Sequence, residues 1–167
     1  MNDHTQVRQF IQVREVAARL IGPKTPMPTV PMAAAALGVT ESQIVKTIVF
    51  EGKKSSECVA VAIVTGDARV DRGRVAAELG LPTLKLASST TVSTVIGYEV
   101  GGVPPVAHAT AVPIVVDRAV FAHSLVYGGG GDEFHMLEIT PAEILRLTGA
   151  RVADVTMAAI SPSQSLS

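Results

Sequence analysis

The first twenty residues show the apolar and polar spacing of an amphipathic helix. Apolar side chains recur every three or four positions from Val7 to Leu20, which places them on one face of a helix. Gly22 and Pro23 follow, and both residue types end helices. The pattern therefore predicts one N-terminal helix from Val7 to Leu20.

Two apolar, β-branched runs occupy the middle of the chain. Ile44–Phe50 and Cys58–Val64 are separated by the polar sequence EGKKSS, in which Gly52 favours a turn. The two runs predict an antiparallel pair of strands. Because side chains alternate faces along a strand, Lys46 lies on a face that is otherwise made of large apolar groups.

Short helix and strand signals alternate along the rest of the chain, and capping residues mark the helix ends. The clearest helix start is Thr140-Pro141-x-Glu143, and Gly149 ends that helix. The same reasoning predicts a short helix over MAAAALG, with Pro31 near its first turn and Gly38 past its end, and a capping box from Thr40 to Gln43. Two further helices are predicted between Asp71 and Gly80 and over SSTTVSTVIG. Strands are predicted near Thr83–Leu86, over AVPIVVD, and twice within SLVYGGGGDEFHMLEI.

The order of these elements has no regular strand–helix–strand repeat, so it favours an α+β fold. We expect a single compact domain over residues 1–156, with a mixed, strongly curved, barrel-like sheet and helices outside it. Residues 157–167 are expected to form a disordered tail.

Composition supports one compact core, and the net charge argues against one class of function. Of the 167 residues, 47% are hydrophobic and only 17% are charged, which is ample material for one core. A net charge of −1 argues against a generic binder of DNA or another polyanion, so a nucleic acid would be recognised through a small site.

No apolar stretch has the length of a membrane span, and residues 1–20 do not read as a signal peptide. We therefore expect a cytoplasmic protein with no membrane partner.

The sequence gives no sign of a metal or cofactor site. Cys58 is the single cysteine, and the four histidines (His4, His108, His123 and His135) have no metal-ligand spacing along the chain. Dinucleotide, phosphate-loop and Ser-His-Asp hydrolase motifs are absent as well. Neither a metal nor a cofactor is expected.

Lys46 has two interpretations. It is either an edge-strand lysine that keeps its ammonium in water and blocks aggregation, or the cation of a cavity that needs a positive charge.

Two glycine-rich stretches are candidate ligand walls. In GYEVGGVPPVAH, residues 97–108, two glycines and two prolines describe a rigid loop whose backbone can approach a ligand, or an ordinary turn. His108 at its end is either a proton-transfer group or a structural donor. YGGGGDEF, residues 127–134, is either a second wall or a flexible hairpin connection. A site made of one lysine and two such loops would work by positioning and backbone hydrogen bonds.

The order of these stretches resembles a known family. AAAALGV, QIVKTIVF, AVAIVTGDARVD, GYEVGGVPPVAH, VVD, GGG and LEITPAEILRLTGARVADV follow one another as in the YbaK/ProX/EbsC family of aminoacyl-tRNA deacylases. The same domain is found as the editing insertion of bacterial prolyl-tRNA synthetases. The resemblance covers residues 33–155. It implies an α+β editing domain that hydrolyses, without a metal, the ester between a wrong amino acid and the 3′ end of tRNA.

The resemblance also implies a set of site residues. The family's strand lysine matches Lys46, which would hold the tRNA end through phosphate or ribose oxygens. Its G-x-x-x-P loop matches residues 101–105, whose glycine N–H groups would hold the aminoacyl carbonyl, and its second glycine wall matches residues 129–131. The attacking water, or a substrate thiol in some members, would be activated by the substrate itself. By this resemblance the catalytic residues are Lys46, Gly101 and Gly102, and the substrate-binding residues are Pro105, His108, Gly129, Gly130 and Gly131.

The chain departs from the family pattern at three positions. Pro104 stands where many members have serine, and Ala107 stands where they have glycine. An acidic residue that some members carry after the second glycine wall would fall near Met136. The amino-acid specificity of the cysteine-deacylating members therefore does not carry over.

These observations lead to one main hypothesis and two alternatives. The main hypothesis is a free-standing trans-editing deacylase for a small amino acid, whose partners are the aminoacyl-tRNA 3′ end and an aminoacyl-tRNA synthetase. The first alternative is a non-catalytic module of the same fold that binds an aminoacyl or nucleotide-like ligand or docks on a synthetase. The second is a small-molecule ester or amide hydrolase with His108 as its base.

Overall fold

The computed structural model describes residues 1–157. The predicted tail therefore lies outside the described residues, apart from Met157. The helices are α1 (His4–Val13), α2 (Val30–Leu37), α3 (Arg72–Leu79), α4 (Ser89–Thr91, continued by a π turn over Val92–Ile96) and α5 (Pro141–Thr148), with short 3-10 turns at Glu41–Gln43 and Arg118–Ala122. The strands are β1 (Ala18–Ile21), β2 (Val45–Gly52), β3 (Val59–Thr65), β4 (Leu84–Leu86), β5 (Ile114–Asp117), β6 (Val126–Gly129), β7 (Met136–Ile139) and β8 (Arg151–Ala153).

Five strands form a mixed sheet in the order β4-β2-β3-β5-β8. β2 and β3 pair antiparallel as predicted, with Lys46 opposite Val64. β5 runs parallel to β3, and β8 runs parallel to β5. β4 pairs only with Phe50–Gly52 at the end of β2. The outer edge of β2 from Val45 to Ile48 therefore has no strand partner within this sheet.

The other three strands form a separate antiparallel sheet in the order β1-β7-β6. One isolated bridge, between Ile44 and Tyr127, joins the two sheets. The prediction of an α+β fold with mixed pairing is confirmed. The barrel-like closure is not supported, because the described strands form two open sheets whose main-chain pairing is limited to this bridge.

The predicted helix from Val7 to Leu20 is wrong in its second half. α1 ends at Val13, and Glu15 then adopts a left-handed backbone conformation with φ of 51°. Ala18–Ile21 form β1 and pair with Met136–Ile139 from the far end of the chain. Helical spacing in a short apolar run does not exclude a strand, and here a distant pairing partner decides the conformation.

Predictions that rest on local capping chemistry are confirmed. Asp71 accepts the N–H groups of Gly73 and Arg74 at the start of α3, and Gly80 ends that helix with φ of 66°. The Thr140 hydroxyl accepts the N–H of Glu143 at the start of α5. These signals succeed because donor and acceptor lie within one helical turn of each other.

The core divides into clusters on the two faces of the five-stranded sheet. Val45 and Val49 pack in the larger cluster, whereas Phe50 packs with Val64 and with Val75 of α3. The predicted alternation of β2 is therefore confirmed, and it puts Lys46 on the same face as Phe50. Whether residues 1–156 form one domain stays a prediction. Within residues 1–157 no helix combines the length and the apolar character that crossing a membrane requires.

The Glu143 carboxylate bonds α5 to the residue before β1, and its lowered pKa predicts an acid-dependent loss of stability. It accepts hydrogen bonds from the Arg146 guanidinium at 2.6 and 2.8 Å and from the N–H of Ala17 at 3.0 Å. The Arg146 bonds, then the Ala17 bond, lower the pKa of Glu143 from 4.5 to about 2. A lowered carboxyl pKa stabilises the folded state above the unfolded pKa, and this contribution is lost as the pH falls through the folded value.

Glu143→Gln should therefore be less stable than the wild type at pH 7, and the difference should shrink between pH 4.5 and about 2. Urea unfolding of both proteins across this range measures the difference. Glu57→Gln, which neutralises an exposed carboxylate on the β2–β3 turn, is the control and should follow the wild type at each pH. A difference between Glu143→Gln and wild type that stays constant with pH would contradict the assignment.

Candidate active site

A cavity of about 340 Å³ opens along the unpaired edge of β2. Its walls come from β2 residues 45–49, from the segment 27–30 that leads into α2, and from the loop that contains Gly101. The Val49 carbonyl accepts the N–H of Ala87 on this side of β2. Because main-chain polar groups alternate between the two edges of a strand, the N–H and C=O of Thr47 also face this edge.

Lys46 supplies the positive charge at the cavity. It is the one charged residue among the cavity-lining positions of the described chain. Its ammonium nitrogen donates to the carbonyl of Ala68 at 2.6 Å, so it is directed to the turn after β3. An ammonium has three N–H groups, which leaves two for a ligand. Burial lowers the pKa of Lys46, and the nearby Asp67 partly offsets this effect.

Thr47 is a cavity residue that the sequence interpretation missed. Its hydroxyl oxygen is buried and has no hydrogen-bond partner within residues 1–157. A buried hydroxyl without a partner costs free energy. The sequence signal was available, since Thr47 is the polar residue next to Lys46 in an otherwise apolar strand.

The loop over residues 101–105 reaches the cavity through two of its members. Gly101 and Val103 line the cavity, next to the exposed side chain of Val100. Gly101 has φ of 98°, which glycine adopts without strain. Within the described chain its N–H donates to no protein group, so this donor is free for a ligand.

The remaining predicted loop residues support the cavity from behind. Gly102 is buried against the main chain of Asp132, where a Cβ would lie 2.6 Å from the Asp132 Cα. Pro105 is buried against Gly128. Ala107 keeps a left-handed conformation with φ of 66°, which explains why a glycine suits this position, and its carbonyl accepts the Tyr98 hydroxyl at 2.7 Å.

His108 is not brought to this cavity. It lines a second cavity of about 230 Å³, and its Nε2 donates to the Pro104 carbonyl at 2.7 Å. Burial lowers the pKa of His108, and the bond to Pro104 partly offsets this effect. In this position His108 fixes the shape of the loop rather than contacting a ligand in the first cavity.

The second glycine wall contributes one residue directly. Gly129 lines the cavity at the end of β6. Gly130 is buried against His135, and Gly131 is buried against Asp3 and His4. Close packing therefore accounts for these two glycines, and only Gly129 of the three reaches the site.

The inner end of the cavity is apolar. Met136 is 4% exposed and packs with Met27, Ala33 and Ile44. The position that carries an acid in some family members thus holds a buried thioether here. The side chains of these four residues carry no strong hydrogen-bond acceptor.

Behind the second glycine wall, the fold gathers His4, Asp132 and His135. Within residues 1–157 this is the one group of at least three such side chains whose ligand atoms converge. His4 Nδ1 lies 2.8 Å from one Asp132 oxygen, and His135 Nδ1 lies 2.7 Å from the other. The two imidazole rings are stacked, with centroids 4.0 Å apart and planes 9° apart.

This geometry fits hydrogen bonds better than a metal centre. Ligand atoms that bind one tetrahedral zinc at about 2.0–2.2 Å stand roughly 3.3 Å apart, which is longer than both separations. A metal must also lie near the plane of each imidazole that binds it, and one ion cannot lie in the planes of two nearly parallel rings that are stacked with centroids 4.0 Å apart. Each histidine therefore donates an Nδ1–H to its own carboxylate oxygen.

A family model described as an aminoacyl-tRNA editing domain matches residues 24–147. The chain therefore belongs to the aminoacyl-tRNA editing domain family, which confirms the resemblance found in the sequence.

Relatives in sequence include parts of synthetases. The proline–tRNA ligase of Pelotomaculum thermopropionicum is 31% identical over 148 residues, which cover 87% of this chain and 24% of the ligase. The uncharacterized protein YwhH of Bacillus subtilis is 27% identical over 129 residues, which cover 77% of this chain and 80% of that protein. The chain thus spans about a quarter of the ligase and most of YwhH.

Solved structures share the fold over nearly the whole chain. The crystal structure of hypothetical protein APE2540 has a TM-score of 0.82 and 40% identity, covering 91% of this chain and 99% of that one. The crystal structure of a candidate trans-editing enzyme for prolyl tRNA synthetase has a TM-score of 0.83 and 32% identity, covering 93% and 97%.

The unpartnered hydroxyl of Thr47 gives a stability test of the site. Thr47→Val keeps the shape of the side chain and removes an oxygen that bonds to nothing. The unliganded variant should be as stable as the wild type or more stable by about 1 kcal/mol, as measured by urea unfolding. Thr148→Val is the matched control, because its hydroxyl donates to the Ile144 carbonyl at 2.6 Å, and it should lose about 1 kcal/mol. Equal losses in the two variants would show that Thr47 has a partner.

Proposed function

We propose that the protein is an aminoacyl-tRNA deacylase that acts in trans on a mischarged tRNA carrying a small amino acid. The observation that carries the proposal is the cavity at the open edge of β2, which is lined by one cation, Lys46, and by Gly101, whose N–H is free. Membership of the editing-domain family supports the same substrate class. A cytoplasmic location follows for this proposal, because aminoacyl-tRNA is made and used there.

The size and lining of the cavity suit the end of an aminoacyl-tRNA. About 340 Å³ is near the lower limit of small-molecule pockets, so it holds a small aminoacyl group and part of the terminal ribose. The apolar inner wall at Met136 and Met27 would receive the amino-acid side chain. Lys46 would bind phosphate or ribose oxygens with the N–H groups that Ala68 does not use.

Hydrolysis requires a water molecule to add to the ester carbonyl, and charge then develops on the carbonyl oxygen. The free N–H of Gly101 is the donor that we assign to this oxygen. Collapse of the adduct breaks the bond between the acyl carbon and the ribose oxygen. The products are the free amino acid and a tRNA whose ribose hydroxyl has regained a proton.

The protein contributes positioning rather than a nucleophile. Within the described residues, the cavity lining contains no His, Cys, Asp or Glu that could attack the ester or remove a proton from water. We therefore propose that groups of the substrate activate the water, and that the reaction needs no metal. Gly129 joins Gly101 as a backbone wall of the site. Gly102, Pro105, Gly130, Gly131 and His108 would act indirectly, by fixing the two walls.

A deacylation panel tests this proposal. Purified protein should release the amino acid from at least one mischarged tRNA among alanine, cysteine and serine esters on several tRNAs. Lys46→Ala should reduce kcat/KM by about a hundredfold, because it removes the single cation at the reacting end. Lys54→Ala is the matched control, since it removes one positive charge from an exposed turn and should keep the wild-type rate.

Three results would contradict parts of the proposal. If every ester in the panel stays intact, the enzymatic function fails, and binding of the same tRNAs without turnover would favour the non-catalytic module. If Lys46→Ala and Lys54→Ala lose activity equally, the lysine acts only through overall charge. Loss of turnover after treatment with a chelator would contradict the metal-independent reaction.

A further inference from the structure

The carboxylate of Asp132 joins parts of the chain that are far apart in sequence. It accepts the Nδ1–H of His4 in α1 and the Nδ1–H of His135 just before β7. One of its oxygens also accepts the N–H of Phe134 at 3.0 Å. Partial burial raises the pKa of Asp132, but the bonds from His135 and His4 outweigh this effect and lower it. The carboxylate thus stays ionised while three donors hold it.

The main chain around Asp132 is in direct contact with both walls of the cavity. Gly131 donates its N–H to the Gly102 carbonyl at 2.9 Å, and Gly102 packs against the Asp132 main chain so closely that no Cβ would fit. Gly129 in turn packs against the Val103 carbonyl. A displacement of Asp132 would therefore shift Gly102 and its neighbours Gly101 and Val103, and through Val103 also Gly129.

The segment 27–30, which forms another wall of the cavity, is bonded through the residues around it to residues 132–134. Met27, which lines the cavity, donates its N–H to the Glu133 carbonyl at 2.6 Å, and Lys24 donates to the Phe134 carbonyl at 3.0 Å. Residues 132–134 thus support three of the segments that surround the cavity. The side-chain bond that connects α1 to this segment is the one from His4 to Asp132.

We propose that Asp132 is a positioning residue that sets the distance between the two glycine walls of the cavity. We call the Asp132 carboxylate with its bonds to His4 and His135 the clamp. This inference rests on the proposed deacylase function for its kinetic consequence, but its structural part is independent of that function. Asp132 does not line the cavity, so it acts through the walls and not on the substrate. The sequence showed no sign of it, because His4 and Asp132 are 128 positions apart.

The test combines kinetics with hydrogen exchange. Asp132→Ala and His4→Ala should each lower kcat/KM for deacylation by about tenfold, because small displacements of positioning groups have large effects on rate. The same variants should exchange the Gly131 amide hydrogen faster than the wild type, since that amide reports the bond between the walls. If Asp132→Ala fails to fold, His4→Ala still tests the inference, because His4 is only partly buried and its replacement should be tolerated.

Two control variants separate positioning from general destabilisation. The amide nitrogen of asparagine can occupy the place of a histidine Nδ1, so His4→Asn should keep the bond to Asp132 and restore most of the rate and the slow exchange. Glu133→Ala removes an exposed neighbouring carboxylate and leaves the main-chain carbonyl in place, so it should behave as wild type.

Three results would overturn the inference. The first is wild-type rate and wild-type exchange in both Asp132→Ala and His4→Ala. The second is a His4→Asn variant as impaired as His4→Ala, which would show that the imidazole itself and not its donor is needed. The third is tight, equimolar binding of added zinc chloride that both His4→Ala and His135→Ala abolish, which would identify the cluster as a metal centre.

The outcome for the clamp is distinguishable from the outcome for the deacylase proposal. If the wild type hydrolyses no mischarged tRNA, the proposed function fails and the exchange measurement alone decides the clamp. In that case faster exchange at Gly131 in Asp132→Ala supports the clamp, and unchanged exchange overturns it.

Discussion

The candidate site depends on one unfinished pairing in the five-stranded sheet. β4 pairs with β2 only at Phe50–Gly52, so the edge of β2 before that point keeps main-chain groups that β4 does not satisfy. Unpaired edge groups are a liability unless water, another chain or a ligand bonds to them. Here they face a cavity, and the same stretch of β2 carries both Lys46 and Thr47. The strand therefore supplies charge, hydroxyl and backbone polarity to one place.

The two glycine-rich stretches follow from how closely the walls approach this edge. At Gly102, Gly128 and Gly130, an added Cβ would lie within 3.0 Å of backbone or proline atoms. Most of these glycines are thus required by packing between the walls and not by contact with a ligand. Gly101 differs, because it has room for a Cβ and is required instead by its φ of 98°. A glycine-rich motif can therefore mark a ligand site although few of its glycines touch the ligand.

The parts of the structure that the sequence predicted are those set by neighbouring residues. The β2–β3 pair and the caps at Asp71 and Thr140 involve partners close in sequence, and each was predicted correctly. β1 was mistaken for helix because its partner lies at the other end of the chain. For the site, Lys46 and the two loops were found from composition and family resemblance. Thr47 and the clamp at Asp132 were missed, since their importance depends on burial and on contacts across the fold.

The placement of Lys46 explains how one charge suffices for this cavity. Its ammonium is bonded to the Ala68 carbonyl and lies near Asp67, so the cation is held at the turn after β3, whereas Met27 and Met136 pack in a buried apolar cluster. Burial lowers the pKa of Lys46, which means that the cation is less well solvated than in water. A phosphate beside it would raise that pKa again and recover part of the lost solvation energy. For the proposed substrate, the apolar inner wall and the cation would therefore bind the two ends of one ligand, a small apolar group joined to an anion.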